Sequence, residues 1–449
     1  MEIGNIASLL TYSPLKIAKG TILVLDSTIV GVTGSFGSGC STLCKVLKEL
    51  GEEYDLKVEN FKIRSEIEEE AAHRSISSPD RGTLQDIGNE FREEQGRDYW
   101  AKRILSKIEA STCNFFIVDG IKNLGEVQGF HKHPRFFLIA VDCSIENRWD
   151  RLKAHDAYKD DRRSFEDYDR RDKDEGFPHG QQVLRCVEEA DIIFTNEEQF
   201  PTELRIKDEI KNRFNDNLKL ITGKQLRRPN IKETMMAVAC NLALQSRCVK
   251  RRVGAVLCSK DGFIVSAAYN EVPYPGKSCH EVYRMCYRDY FRKGLKEKLV
   301  KSFDYCPKCA RKLEAQQLGV DFICPSCRFI LTEVFRTVKA LDKCRSLHAE
   351  EVVLLRAPEF QINGSTLYTT TFPCLQCAKR IIHVHLKDVI YIDPYPEEEA
   401  IKLLEEGGVK TVKFSGVKAQ AFYRFFYPYR EWLEKQIEER LEDVYAGRQ

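Results

Sequence analysis

A histidine, a glutamate and two cysteines stand at spacings that suit hydrolytic chemistry on a metal. His348-Ala349-Glu350 is followed, after 22 residues, by Pro373-Cys374-Leu375-Gln376-Cys377. One imidazole and two thiolates give zinc three ligands and leave the fourth tetrahedral position to water, the arrangement of a catalytic rather than a closed structural site. Zinc lowers the pKa of bound water from about 15.7 toward about 7. Glu350, next to the ligand set but outside it, is then free to move protons. Cys374 and Cys377, at i and i+3, converge on one metal from a helix start. Pro373 suits the first turn of that helix, where an N–H is dispensable, and helix N-termini favour thiolates.

Four more cysteines repeat a different pattern. Cys306-Pro-Lys-Cys309 and Cys324-Pro-Ser-Cys327 are two C-P-x-C knuckles with 14 residues between them. That spacing makes a four-cysteine zinc ribbon, a closed structural site. The ribbon is expected as an insert over 303–330, bracing the wall of the catalytic site or else contacting a partner or a nucleic acid.

A third motif lies near the N-terminus. Gly34-Ser-Phe-Gly37-Ser-Gly39-Cys40-Ser41-Thr42 follows an apolar, β-branched stretch and precedes a helical pattern through Leu43, Val46, Leu47 and Leu50. Strand, glycine-rich loop and helix form the context of a phosphate-binding loop, whose N–H groups and helix N-terminus cradle phosphate oxygens. Cys40 stands where the loop's lysine belongs. Ser41 can still reach a Mg2+ ion, and Asp119, at the end of the strand Phe115-Phe-Ile-Val-Asp119, is the usual partner for it. Without the lysine's charge this half can bind a nucleotide but is a poor kinase, because phosphoryl transfer depends on such charges. Arg148, Arg151, Arg162, Arg163, Arg170 and Arg171 read as a lid over phosphates or as a solvated charged helix.

The elements that must position these motifs fall into two sets. Apolar runs at 21–33, 115–119, 136–142 and 191–196 alternate with helical stretches, the pattern of a parallel α/β domain. An amphipathic helix over 202–221 leads into a polar segment broken by Gly223 and Pro229, which marks a domain boundary. The expected domains are therefore 1–221 and 222–449. In the second, a helix from Ile231, a hairpin over 253–268, and strands at 364–370 and 389–392 surround the helices opened by His348 and Pro373.

His-x-Glu followed by Pro-Cys-x-x-Cys is the signature of zinc-dependent nucleobase deaminases. Ser246-Arg247, Val253-Gly254-Ala255-Val256 and Ala268-Tyr269-Asn270, in this order before the metal motif, are similar to the motif set of deoxycytidylate deaminases across most of 230–420. The resemblance implies a cytidine-deaminase-like α/β/α domain. It also implies that Asn270, Tyr391, Tyr395 and Arg247 contact the substrate, and that Glu350 protonates the ring nitrogen and then the departing amine. Residues 20–200 resemble the P-loop nucleoside and nucleotide kinases, with Gly34, Gly37, Gly39, Ser41, Thr42 and Asp119 at the nucleotide-binding positions.

As a whole the chain resembles the two-domain bacterial antiviral deaminases, which act on dCTP and dCMP. That resemblance implies pool depletion as the role, a regulatory nucleotide, an inhibitory small RNA as partner, and hexameric assembly. A housekeeping dCMP deaminase for thymidylate synthesis, a polynucleotide deaminase and a non-enzymatic nucleotide-sensing regulator are the rival readings. Tyr283, Tyr287, Arg288, Tyr290, Phe291, Arg292 and Lys293 come closest to the basic, aromatic surface a polynucleotide would need.

Composition narrows the class. In 449 residues, Lys+Arg number 70 against Asp+Glu 68, so bulk charge gives no argument for a polyanion partner. Seventeen cysteines, partly in C-x-x-C pairs, fit metal sites in a reducing compartment better than disulfides. No apolar run is long enough to span a membrane. With no basic-then-apolar leader in the first 30 residues, the expectation is a cytoplasmic protein.

Overall fold

The computed structural model describes residues 27–154, 160–173, 176–197, 203–273, 275–314, 316–318, 321–332, 343–393 and 398–426. They form two compact units, one from residues up to 228 together with those from 415 on, the other over 229–414.

In the first unit β1 (Thr28–Thr33), β3 (Phe115–Asp119) and β5 (Ile192–Thr195) are buried along their whole length, and β4 (Phe136–Asp142) along all but its last residue. Such unbroken apolar runs belong to a parallel sheet covered on both faces. With β2 (Val58–Lys62) and β13 (Gly416–Val417) the strand order is β13-β5-β4-β1-β3-β2, parallel except for β13. The chain goes from β1 to β2 on one side and to β4 on the other, so the order reverses beside β1. Ligands of such sheets bind at this switch, outside the carboxyl ends of the strands. The glycine-rich loop sits there and runs into α1 (Cys40–Glu53), whose Leu43, Val46, Leu47 and Leu50 are buried in the core beneath it.

The expected run at 21–33 becomes β1 only from Thr28; residues 21–26 lie outside the described residues. The expected lid also resolves into fixed pairs. Arg148 is buried against Asp169 at 2.6 Å and donates to the Phe36 carbonyl; Arg162 holds Glu166, Arg170 holds Asp167 and Arg171 holds Asp86. Arg148 and Arg171 tie α7 (Arg162–Lys173) to its neighbours, while the pairs of Arg162 and Arg170 lie within it on its exposed side.

The second unit has a five-stranded sheet, β12-β11-β10-β6-β7. The hairpin β6 (Gly254–Cys258) and β7 (Ile264–Tyr269) is antiparallel, β10 (Thr366–Thr371) runs antiparallel to β6, and β11 (Asp388–Asp393) and β12 (Lys410–Lys413) run parallel to β10. Ala255, Leu257, Leu367 and Val389 pack into one core with α13 (Ala349–Arg356), α15 (Leu375–His383) and α16 (Glu398–Glu406). On the other face α10 (Ile231–Ala243) lies against β6 and β10, started by an Asn230–Glu233 capping box. It lies so close that a β-carbon at Gly254 would collide with the Ala239 carbonyl. The result is the expected α/β/α layering.

The boundary departs from the expected 221/222. Residues 222–228 and everything described from Ser415 on belong to the first unit, not to the expected 222–449 domain. The cause is burial. Leu226 packs on the first core, β13 covers the open edge of β5, and Phe425 stacks on Phe137 of β4 at 4.7 Å between centroids.

Candidate active site and phosphate-loop pocket

His348 and Cys374 occupy equivalent places: each is the N-cap of a helix, α13 and α15, with extended backbone. Cys377 follows one turn into α15. The two helices pack on the same sheet face and bring their first turns together. Cys374 Sγ lies 3.3 Å and Cys377 Sγ 3.4 Å from His348 Nδ1. Three convergent soft and imidazole donors, with no fourth in the set among the described residues, fit a catalytic zinc ion. Glu350, 3% exposed, places Oε2 3.9 Å from Cys377 Sγ.

The electrostatics are those of a cation site. The Cys377 hydrogen bond, with His348 beside it, draws the Cys374 thiol down to about 4 despite burial. Hydrogen bonds donated by the ring to Cys344 and Cys374 push His348 up to about 11, so the cluster holds a proton where it would hold a metal. Burial pushes Glu350 up to about 6, near the value a base needs at neutral pH.

A cavity of about 330 Å3 opens from this centre. Asn270 lines it, but its amide also braces the wall: Oδ1 accepts from Val253 N at 2.7 Å and Nδ2 donates to the Arg251 carbonyl at 3.0 Å. Tyr391 stands edge-on to Phe372, and Phe372 lines the cavity. Arg247 lies outside the cavity lining, 60% exposed and 3.7 Å from Glu281. Tyr395 lies outside the described residues. The cationic wall instead comes from Lys250, Arg251, Arg288 and Arg292. Arg288 and Arg292, singled out from the sequence only as part of a polynucleotide-like surface, belong to α12 (Tyr287–Lys301). Their i, i+4 spacing was the available signal.

Before the ribbon, α12 ends at Lys301. Its two knuckles are copies. In each, the first cysteine's N–H bonds the carbonyl five residues on, and the residue four on is left-handed, Ala310 and Arg328. Cys306 and Cys327 sulfurs are 3.7 Å apart and Cys309 and Cys324 sulfurs 3.9 Å. Four sulfurs at ~2.3 Å from one zinc ion stand about 3.8 Å apart, so this set fits a closed tetrahedral site. The short hairpin of β8 (Gln316–Leu318) and β9 (Asp321–Ile323) joins the knuckles.

In the first unit the phosphate loop lines a cavity of about 900 Å3, with Thr42, Asp119, Lys62, Lys122 and Arg151 also on its wall. Gly37 and Gly39 have positive φ, 82° and 104°, and Gly34 has no room for a β-carbon. Asn196 closes the loop by donating to the Ser38 carbonyl at 2.8 Å. Ser41 Oγ donates to Asp119 Oδ2 at 2.8 Å, which brings together the two expected magnesium-site residues. Cys40 touches Ser38 Oγ at 3.4 Å, and burial pushes its thiol up to about 12, so it is neutral.

Residues 229–393 match the family described as "Cytidine and deoxycytidylate deaminase zinc-binding region". A deoxycytidylate deaminase of Schizosaccharomyces pombe is 25% identical over 301 residues, 67% of this chain and 76% of that protein. A UPF0200/UPF0201 protein of Archaeoglobus fulgidus is 34% identical over 157 residues, 34% of this chain and 46% of its own length. A UPF0200 protein of Methanoculleus marisnigri is 30% identical over 181 residues, 39% of this chain and 93% of its own length. The chain thus spans about half the length of the second of these relatives. Among the described residues no helix is long and apolar enough to cross a membrane.

Proposed function

The chain belongs to the UPF0200 family over 39% of its length, and we propose that residues 229–393, which match the cytidine and deoxycytidylate deaminase zinc-binding region, hydrolyse the amino group of deoxycytidine nucleotides, converting dCMP to dUMP and dCTP to dUTP with release of ammonia. The observation that carries this reading is the convergence of His348 Nδ1, Cys374 Sγ and Cys377 Sγ beside the buried Glu350 carboxyl at the end of a cavity.

Held by His348, Cys374 and Cys377, zinc supplies the Lewis acid that makes water nucleophilic at neutral pH. Glu350, ionised above about 6, takes the water's proton on a carboxylate oxygen. It passes that proton to the ring nitrogen, then takes the water's second proton from the hydroxyl formed on the ring carbon and passes it to the departing amine as the C–N bond breaks. Its burial keeps bulk water from intercepting them. Asn270 fixes the wall at 251–253 against which the ring is held. The ribbon's four cysteines hold a second, structural zinc ion.

For the first unit the same reading gives nucleotide binding without phosphoryl transfer. Ser41 and Asp119 would hold a nucleotide's Mg2+ ion, while the neutral Cys40 leaves the loop without its lysine charge. A nucleotide-sensing unit fused to a deaminase supports regulated depletion of the deoxycytidine nucleotide pool, the antiviral role, over constant thymidylate supply. Cys40→Lys is expected to raise ATP affinity; no binding in either form would remove this part.

The test is ammonia release from deoxycytidine, dCMP, dCTP, CMP, CTP and single-stranded DNA, each with and without a zinc chelator. Chelator-sensitive turnover of dCMP and dCTP supports the reading. Turnover of dCMP alone supports thymidylate supply, and turnover of DNA alone replaces it with a polynucleotide deaminase.

A further inference from the structure

The cavity is lined by two chemically distinct sets of residues: His348, Glu350 and Cys374, and, with them, Lys250 and Arg251 from the segment before β6 and Arg288 and Arg292 from α12. Asp289, on the same wall, is already engaged: it accepts from Lys250 Nζ at 3.0 and 2.7 Å. The Nε of Arg292 is buried and hydrogen-bonds to nothing among the described residues. A buried guanidinium N–H without an acceptor is costly to leave unpaired, and this one belongs to a side chain on the wall of an open cavity. Arg288 and Arg292, one turn apart, share one face of the helix.

The far side of α12 is fixed. Tyr283 and Tyr287 pack at 4.8 Å between centroids, and the Arg345 guanidinium lies 5.3 and 6.0 Å over their rings. Arg345 is three residues from His348, so this stack ties α12 to the start of the catalytic helix. At its other end α12 runs into the ribbon, and β9 lies against it. A helix held at both ends presents its guanidiniums in a set place.

We infer that α12 reads the phosphate of the substrate, with Arg288 and Arg292 as the residues that separate a nucleotide from a nucleoside. The inference rests on the deaminase reading above. Forked guanidiniums suit phosphate oxygens, accept no proton and pair bidentately. The role expected for Arg247 thus passes to the helix that precedes the ribbon. The ribbon acquires a purpose at the same time: it anchors the phosphate-reading helix.

The experiment compares zinc-loaded wild type with Arg292→Gln, Arg288→Gln, the double variant and Arg292→Lys, measuring kcat and KM for dCMP and for deoxycytidine. Zinc content and thermal unfolding of each variant are recorded. Losing a charged hydrogen bond weakens binding by roughly 10- to 100-fold. The double variant is expected to lower the ratio of kcat/KM for dCMP over deoxycytidine by at least about 100-fold, mainly through KM. Arg292→Lys is expected to restore part of it. Equal losses on both substrates, or an unchanged KM for dCMP, overturn the inference, as does a wild type that treats the two substrates alike. Wild type that releases ammonia from none of deoxycytidine, dCMP and dCTP removes the deaminase reading itself and this inference with it.

Discussion

At the residue scale the site separates metal holding from proton movement. His348, Cys374 and Cys377 meet within one coordination sphere, and Glu350 stands outside it yet buried. Glu350→Ala is therefore expected to keep its zinc and to lose about 10²- to 10⁴-fold in kcat, the usual span for a positioned acid–base group; full activity in a zinc-replete variant would remove its role. Cys374→Ala is expected to lose both metal and turnover, and stoichiometric zinc in that variant would reject the ligand set. The pH profile follows from the sign of the Glu350 shift. Burial raises its pKa from 4.5 to about 6, and a base works only when ionised. The acid limb of kcat/KM is expected to rise tenfold per pH unit up to about 6 and then level. A limb centred near 4.5 would mean that the carboxyl is hydrated in the working enzyme.

At the element scale the ribbon and α12 act together. Cys324→Ser with Cys327→Ser is expected to remove one zinc ion per chain and raise the KM for dCMP several-fold. The His348 set should stay loaded. An unchanged KM would leave the ribbon a role apart from the cavity. The same elements show what the sequence discloses. His348, Glu350, Cys374 and Cys377 are legible because few other chemistries need those side chains at those offsets. Both C-P-x-C knuckles are legible for the same reason. Arg288 and Arg292 are not, because arginines are common on helix surfaces and only packing shows which face borders a cavity. Asn270 was legible as a residue of the site, but its double hydrogen bond to 251 and 253 was not. The arginine stretch was ambiguous because its acidic partners are interleaved with it, and the fold spends most of those charges on Asp169, Glu166, Asp167 and Asp86.

At the scale of the whole molecule, the chain leaves its first unit after Arg228 and re-enters it at Ser415. Alternating strands and helices announce two α/β bodies, yet an apolar segment such as 417–426 carries no mark of which core it will join. Phe425→Ala should cost the first unit about 3–5 kcal/mol, seen as an earlier unfolding transition, with deaminase turnover at lower temperature retained. Loss of turnover with no change in unfolding would contradict that allocation. A further consequence concerns manufacture. The residues that close the first sheet, β13 and the phenylalanines behind it, leave the ribosome only after the intervening 229–414 have been made. At 5–20 residues per second that is a wait of roughly 10–40 s. During it β5 offers a bare edge and Phe137 an uncovered ring to whatever is nearby. The nascent first unit thus exposes that edge until 416–426 are made, and a ribosome that stalls within 229–414 would leave both units unfinished.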